Sequence, residues 1–170
     1  MVHELSGQRR SDLEPLTPGD VVELADSYRT SCILLMEESL ESAEFCFFEE
    51  RHHDALQLIH TAIVDAYAGL LAVYTLELPG TRSLVHLRSK AECLDKSLIL
   101  AWSQQDPTGD LRFGSLKLVN EGTETIQDNA LSIEEVYMLY DDAYALRRLV
   151  EASCARHCRD LRQASVRPRG

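Results

Sequence analysis

Apolar residues recur at helical spacing along most of this chain. Val21, Leu24, Ala25, Tyr28, Cys32, Leu35, Met36, Leu40, Ala43 and Phe47 form one stripe, while Glu23, Asp26, Glu37, Glu38, Glu41 and Glu44 occupy the opposite side. This pattern predicts a long amphipathic helix with an acidic outer face. Its start is marked by Thr17-Pro18-Gly19-Asp20: a threonine suited to the cap, a proline suited to the first helical position, and an acid placed to complete a capping box.

A polar break at residues 49–54 separates it from a second helix, from about Asp54 to Leu78. Its apolar positions are Ala55, Leu58, Ile59, Ala62, Ile63, Ala66, Leu70, Val73 and Tyr74. They cover more than one face, so this helix belongs at the centre, and Ala62, Ala66, Ala68, Gly69 and Ala72 permit neighbours to approach closely. Pro79-Gly80 ends it. Leu84, Leu87, Ala91, Leu94, Leu98 and Ala101 predict a third helix from Arg82 to Gln104, followed by a turn cluster at 105–110. Residues 111–130 carry no clear period: Leu111-Arg112-Phe113 and Leu116-Lys117-Leu118 fit extended pieces or a short helix. An insertion of that length in a bundle is a place to look for a specific contact. Ser132-Ile133-Glu134-Glu135 is a second capping box, and Ile133, Val136, Tyr137, Tyr140, Ala143, Tyr144, Val150 and Cys154 carry the last helix to about Arg162. The expected fold is all-α: an up-down helical bundle of four long helices with an irregular insertion before the last one. Residues 1–16 read as a flexible arm, 17–162 as the bundle domain and 163–170 as a flexible basic tail.

Charge adds an asymmetry. The chain carries a formal charge of −11, yet seven arginines and only two acids lie from Arg147 onward. An acidic body repels phosphate, which makes nucleic acid an unlikely partner. The basic end has several readings: a solvated helix end suited to the helix dipole, a segment folded back on the body, or one reaching a neighbouring subunit or an acidic partner. Residues 1–20 contain no apolar run and the run around Ile63–Leu78 is interrupted by Asp65, Tyr67, Tyr74 and Glu77. Neither a secretory leader nor a membrane span is expected, and the five cysteines are expected as free thiols in the cytoplasm.

The candidate chemistry is sparse. Glu49-x-x-His52 and Glu50-x-x-His53 have the spacing of di-iron bundle ligands, which makes Glu49, His52 and His53 metal candidates. That site needs a second Glu-x-x-His, and His60, His86 and His157 lack a glutamate three residues before them. Cys154 and Cys158 share a face, but a structural zinc needs four ligands. Neither a Gly-rich phosphate loop nor a Gly-flanked nucleophilic serine occurs, so no cofactor is expected. Tyr137, Tyr140 and Tyr144 form a stripe on the last helix, and tyrosine serves both core edges and protein interfaces. With the acidic first helix, represented by Glu37, Glu41 and Glu44, it is the candidate interaction surface.

The middle of the chain, from Glu41-Ser-Ala-Glu-Phe-Cys-Phe-Phe-Glu-Glu-Arg-His-His-Asp-Ala-Leu56 into Leu58-Ile-His-Thr-Ala-Ile-Val-Asp-Ala-Tyr-Ala-Gly-Leu-Leu71, then Pro79 and Leu84-Val-His-Leu87, resembles HEPN domains. The Ser-x-Glu-Glu helix at 132–150 is similar to that family's last helix. The resemblance, over about residues 20–155, implies a four- or five-helix bundle, often dimeric. Some members are metal-independent ribonucleases; others bind nucleotides or act as adaptors. The nuclease members carry Arg, four to six residues, then His. Here Arg82 and His86 have three residues between them and Arg148 and His157 have eight. A ribonuclease reading therefore rests on a degenerate pair, Arg82 and His86. A nucleotide-binding bundle is a further alternative, with His60, Asp65 or Trp102 as interior polar groups. The expectation from the residues is a non-catalytic bundle for protein–protein interaction, working as a homodimer or with another, basic protein.

Overall fold

Thr17 begins the first helix by reciprocal capping. Its hydroxyl accepts from the Asp20 amide at 3.2 Å, and the Asp20 carboxylate accepts from the Thr17 amide at 2.8 Å. A computed structural model of the chain describes residues 15–103, 109–119 and 131–166. The described residues are all-α: α1 (Pro18–Phe48), α2 (His52–Thr75), α3 (Leu84–Leu94), a 3-10 turn (Lys96–Ile99), α4 (Leu100–Ser103), α5 (Gly109–Val119) and α6 (Ile133–Val166). The Ser132 capping box forms as expected: Glu135 accepts from the Ser132 amide at 2.7 Å and the Glu135 amide donates to Ser132 Oγ at 3.2 Å. Most of the N-terminal arm, residues 104–108 with most of the expected turn cluster, the second half of the insertion and residues 167–170 lie outside the described residues.

The three long helices α1, α2 and α6 pack on one another, and α2 also supports α3. α2 is long and apolar enough to cross a membrane, but 67% of that stretch is buried inside the fold, which makes it the central core helix. Its small residues act as expected. A side chain on Gly69 would collide with Cys32 Sγ and Cβ, so α1 and α2 meet at van der Waals distance only because position 69 is glycine. Cys32 uses that proximity to donate its thiol to the Asp65 carbonyl at 3.5 Å. α2 ends at Leu76, earlier than Pro79, in a left-handed cap (φ 61°) whose amide donates to Ala72 O.

Two expectations change. The apolar stripe from Leu84 to Ala101 is not one helix: it breaks at Asp95 (φ −140°, ψ 103°). The cause is tertiary. The Asp95 carboxylate accepts from the Ser97 amide at 2.9 Å, Ser97 Oγ at 2.7 Å, Ser153 Oγ at 2.5 Å and Arg156 Nη2 at 2.6 Å. Burial alone would raise the Asp95 carboxyl, but the hydrogen bonds from Ser153 and Ser97 and the Arg156 charge hold it below the usual carboxylate range. Four donors to one carboxylate outweigh the loss of a continuous helix and bind the break to α6. The turn cluster expected at 105–110 also differs, because Gly109 and Asp110 already belong to α5, the short helix expected as one alternative for residues 111–118. Phe113 and Leu116 are buried, and Arg112 grips Asp142 of α6 through Nε at 2.9 Å and Nη2 at 3.2 Å.

Side chains of α2, α3, α4 and α5 meet between these elements. Trp102 Nε1 donates to Tyr67 Oη at 2.7 Å and the indole meets Phe113 edge-on at 4.9 Å. The Arg88 guanidinium lies 4.2 Å from the Phe113 ring centroid while Nε pairs with Glu92 at 2.5 Å. Stacking of this kind buries the apolar body of an arginine without stranding its charge.

Candidate functional site

The described part of the basic end, from Arg147 to Val166, lies on α6. α6 continues as helix to Val166, through residues expected in the tail. Three of the five arginines of α6 pair with Asp26 (Arg162), Glu37 (Arg147) and Asp95 (Arg156). The first two pairs run in opposite order along the two helices, so α6 lies antiparallel to α1 with arginines against acids.

Where α6 begins, it meets the end of α1 in a run of rings. Phe47 stacks on Tyr137 at 4.3 Å (interplanar 18°) and meets Tyr140 edge-on at 5.6 Å. Tyr144 lies 6.4 Å from Tyr140, and the Arg147 guanidinium sits 5.6 Å from the Tyr144 ring. Burial raises the Tyr140 hydroxyl, and Glu44, Tyr144, Asp141 and Glu41 add to the effect. The seam therefore brings together Glu37, Glu41, Glu44, Tyr137, Tyr140 and Tyr144. They arrive side by side because α1 and α6 present their flanks to each other at this end. His52, the first residue of α2, joins the same cluster: its ring is 6.2 Å from Phe47 and 6.4 Å from Tyr137. Its Nδ1 is buried with no hydrogen-bond partner among the described residues.

The outer face of α1 adjoins this seam and shares Glu41 with it. Its buried residues include Ala25, Cys32, Met36, Leu40, Ala43 and Phe47. Opposite them, at helical spacing, stand Leu34, Glu38, Glu41, Phe45 and Phe48. Phe45 and Phe48 are 61% and 85% exposed, whereas Phe47 and Phe113 are 8% and 4% exposed. Glu38, Glu41, Ser42 and Phe45 line an open groove of about 420 Å³ floored by Cys46. Sequence reasoning missed Phe45 and Phe48 as surface features. The signal was in the Glu-Phe-Cys-Phe-Phe run: once Phe47 is placed on the inner stripe, residues 45 and 48 fall outside it.

The remaining candidates are dispersed. Arg82 Nη2 binds Asp65 at 2.8 Å, while His86 is exposed on α3; among the described residues no hydrogen bond joins the two. Glu49 caps α1, and exposed His53 shares a hydrogen bond with Gln57 at 3.0 Å. No three of the described His, Cys, Asp and Glu residues converge as a metal-holding group. His157 stacks on Tyr74 at 4.0 Å, and Tyr74 Oη shares a hydrogen bond with Ser153 Oγ at 3.0 Å. Cys154 and Cys158 are buried, and burial, with Cys32 and Cys158 nearby, pushes the Cys154 thiol up to about 12. A thiol so shifted stays protonated at neutral pH and is a poor nucleophile. His60 is buried, and its Nε2 has no hydrogen-bond partner among the described residues. Burial lowers its basicity, and the Arg82 charge lowers it further.

Neither a scan against protein-family models nor a comparison with curated proteins gives a match.

Proposed function

We propose that this chain is a non-catalytic docking protein, an up-and-down bundle of four helical rods, the third of them broken, that binds other proteins through the outer face of α1 and the tyrosine seam beside it. The observation that carries this reading is the exposure of Phe45 and Phe48 in a chain whose other two phenylalanines are buried. Burying a phenylalanine side chain is worth about 1.5–3 kcal/mol, so two left in water, beside a groove and partly exposed tyrosines, form a surface with binding energy in reserve. Five free thiols suit a reducing compartment. The resemblance to HEPN domains fits the adaptor members of that family.

Quantitative affinity capture with the wild type and the Phe45→Ala/Phe48→Ala variant tests the reading. The variant should lose a discrete set of captured proteins; an unchanged set ends the proposal.

Pairing with a second copy is favoured by a different surface. A groove of about 600 Å³ along α3 and its following turn is lined by Val85, Arg88, Glu92, Cys93, Lys96 and Ile99. It mixes both charge signs with half-exposed aliphatic residues. An isologous contact sets one patch against itself, which a mixed-sign surface tolerates and the acidic face of α1 does not. Light scattering at tens of micromolar protein should give the dimer mass, lowered to the monomer mass by Val85→Asp; a wild-type monomer removes the pairing.

A further inference from the structure

We infer that the partner seated on the outer face of α1 is a basic amphipathic helix, a deepening that rests on the docking reading above. Charge decides the partner. From Thr30 to Glu50 the sequence has six glutamates and no Lys, Arg or His. Only Glu37 among them is ion-paired within the described residues, with Arg147. The six are interleaved with apolar side chains: Leu34, Phe45 and Phe48 are 53%, 61% and 85% exposed. Leu34, Glu38, Glu41, Phe45 and Phe48 follow one another by four, three, four and three residues, which places them on a single stripe roughly 20 Å long at 1.5 Å per residue. A partner helix of four to five turns matches that length, and a stripe of this kind is read by a helix with its own anchors at i, i+3, i+4 and i+7. Such a helix needs apolar residues against Phe45, Phe48 and Leu34, flanked by Lys or Arg against Glu38, Glu41 and Glu44. A second copy of this chain is disfavoured on the same face, because like charges set against each other repel. Among the described residues no arginine pairs with Glu38, Glu41 or Glu44, and Arg147, Arg156 and Arg162 are engaged with Glu37, Asp95 and Asp26.

The test uses the full chain and a fluorescent synthetic helix of Leu and Lys about five turns long, with a scrambled peptide of equal composition and a Leu/Glu helix as controls. Anisotropy should show binding of the amphipathic Leu/Lys helix at least about tenfold tighter than the scramble, and no binding of the Leu/Glu helix. Phe45→Ala/Phe48→Ala should weaken it about tenfold or more, and Glu38→Gln/Glu41→Gln/Glu44→Gln should weaken it and flatten its salt dependence. Equal binding of the amphipathic and scrambled peptides overturns the inference, because only diffuse charge attraction is then at work. Self-association abolished by Phe45→Ala/Phe48→Ala overturns it in favour of a second copy. Loss of captured proteins in that variant without any peptide binding removes the basic helix and leaves the docking reading standing; unchanged capture removes both.

Discussion

On the flank of α1 that faces α6, Asp26 and Glu37 each meet an arginine; on its outer face, Glu38 and Glu41 meet none among the described residues and stand beside exposed phenylalanines. The same residue type thus does two jobs on one helix. Along the flank, acid and base from distant parts of the chain hold α6 against α1. On the outer face the acids contribute nothing to internal pairing and set the sign of the surface. Within the described residues, Arg162 and Arg147 of α6 meet Asp26 and Glu37, while Glu38 and Glu41 are left without an ion-pair partner.

The sharpest way to break the comparison is at the core side of α1. Gly69→Ala forces a methyl into Cys32, and overpacking of that kind should cost about 2 kcal/mol or more, read as a lower urea midpoint at unchanged slope. Little or no loss would mean that α1 and α2 have slack between them. Next comes the flank. Arg147→Ala removes the Glu37 pair and the Tyr144 ring contact; part of that pair is solvent-screened, so the cost should be about 1 kcal/mol. Phe45→Ala/Phe48→Ala should change stability by less than about 0.5 kcal/mol, despite removing two large apolar side chains. A larger loss would show that these rings are already packed.

Acid provides an independent handle. Folding lowers the basicity of His60 through burial and of His157 likewise. Their neutral forms are therefore favoured in the native state. The corresponding stability is complete above the unfolded value near 6.5 and is lost as pH falls from there through the lower native values. Urea midpoints should drop on acidification in that window, and His60→Gln should flatten the drop. A profile unaltered by that substitution would remove His60 as a cause. The smallest effect is expected from Glu38→Gln/Glu41→Gln, which should leave stability unchanged or slightly raised as repulsion along α1 is relieved.

What the sequence made legible was local. Both capping boxes form at Thr17 and Ser132, because their donors and acceptors lie three residues apart, and the α1 stripe from Ala25 to Phe47 is buried largely as periodicity demands, with Leu35, 48% exposed, as the departure. The tyrosine stripe at 137, 140 and 144 is legible as a helical period, but its seat against Phe47 of α1 is a tertiary contact. What was not legible depends on partners far away in the chain. The stripe from Leu84 to Ala101 runs straight through Asp95, and only Ser153 and Arg156, about sixty residues later, turn that aspartate into a break. The helix α5 likewise owes its place to Arg112 reaching Asp142. Phe45 and Phe48 were hidden for the opposite reason: they sit next to a core phenylalanine and look like part of the core until the inner face of α1 is fixed.

The central claim, that the outer face of α1 is a docking surface while its flank is structural, is tested most directly by amide chemical-shift mapping of the full chain during titration with the Leu/Lys helix. Shifts should be largest along the outer face from Leu34 to Phe48 and at Tyr137 and Tyr144, and near zero at α1 residues 20–30. Shifts centred on the α3 groove, or spread evenly over the acidic surface, would contradict it.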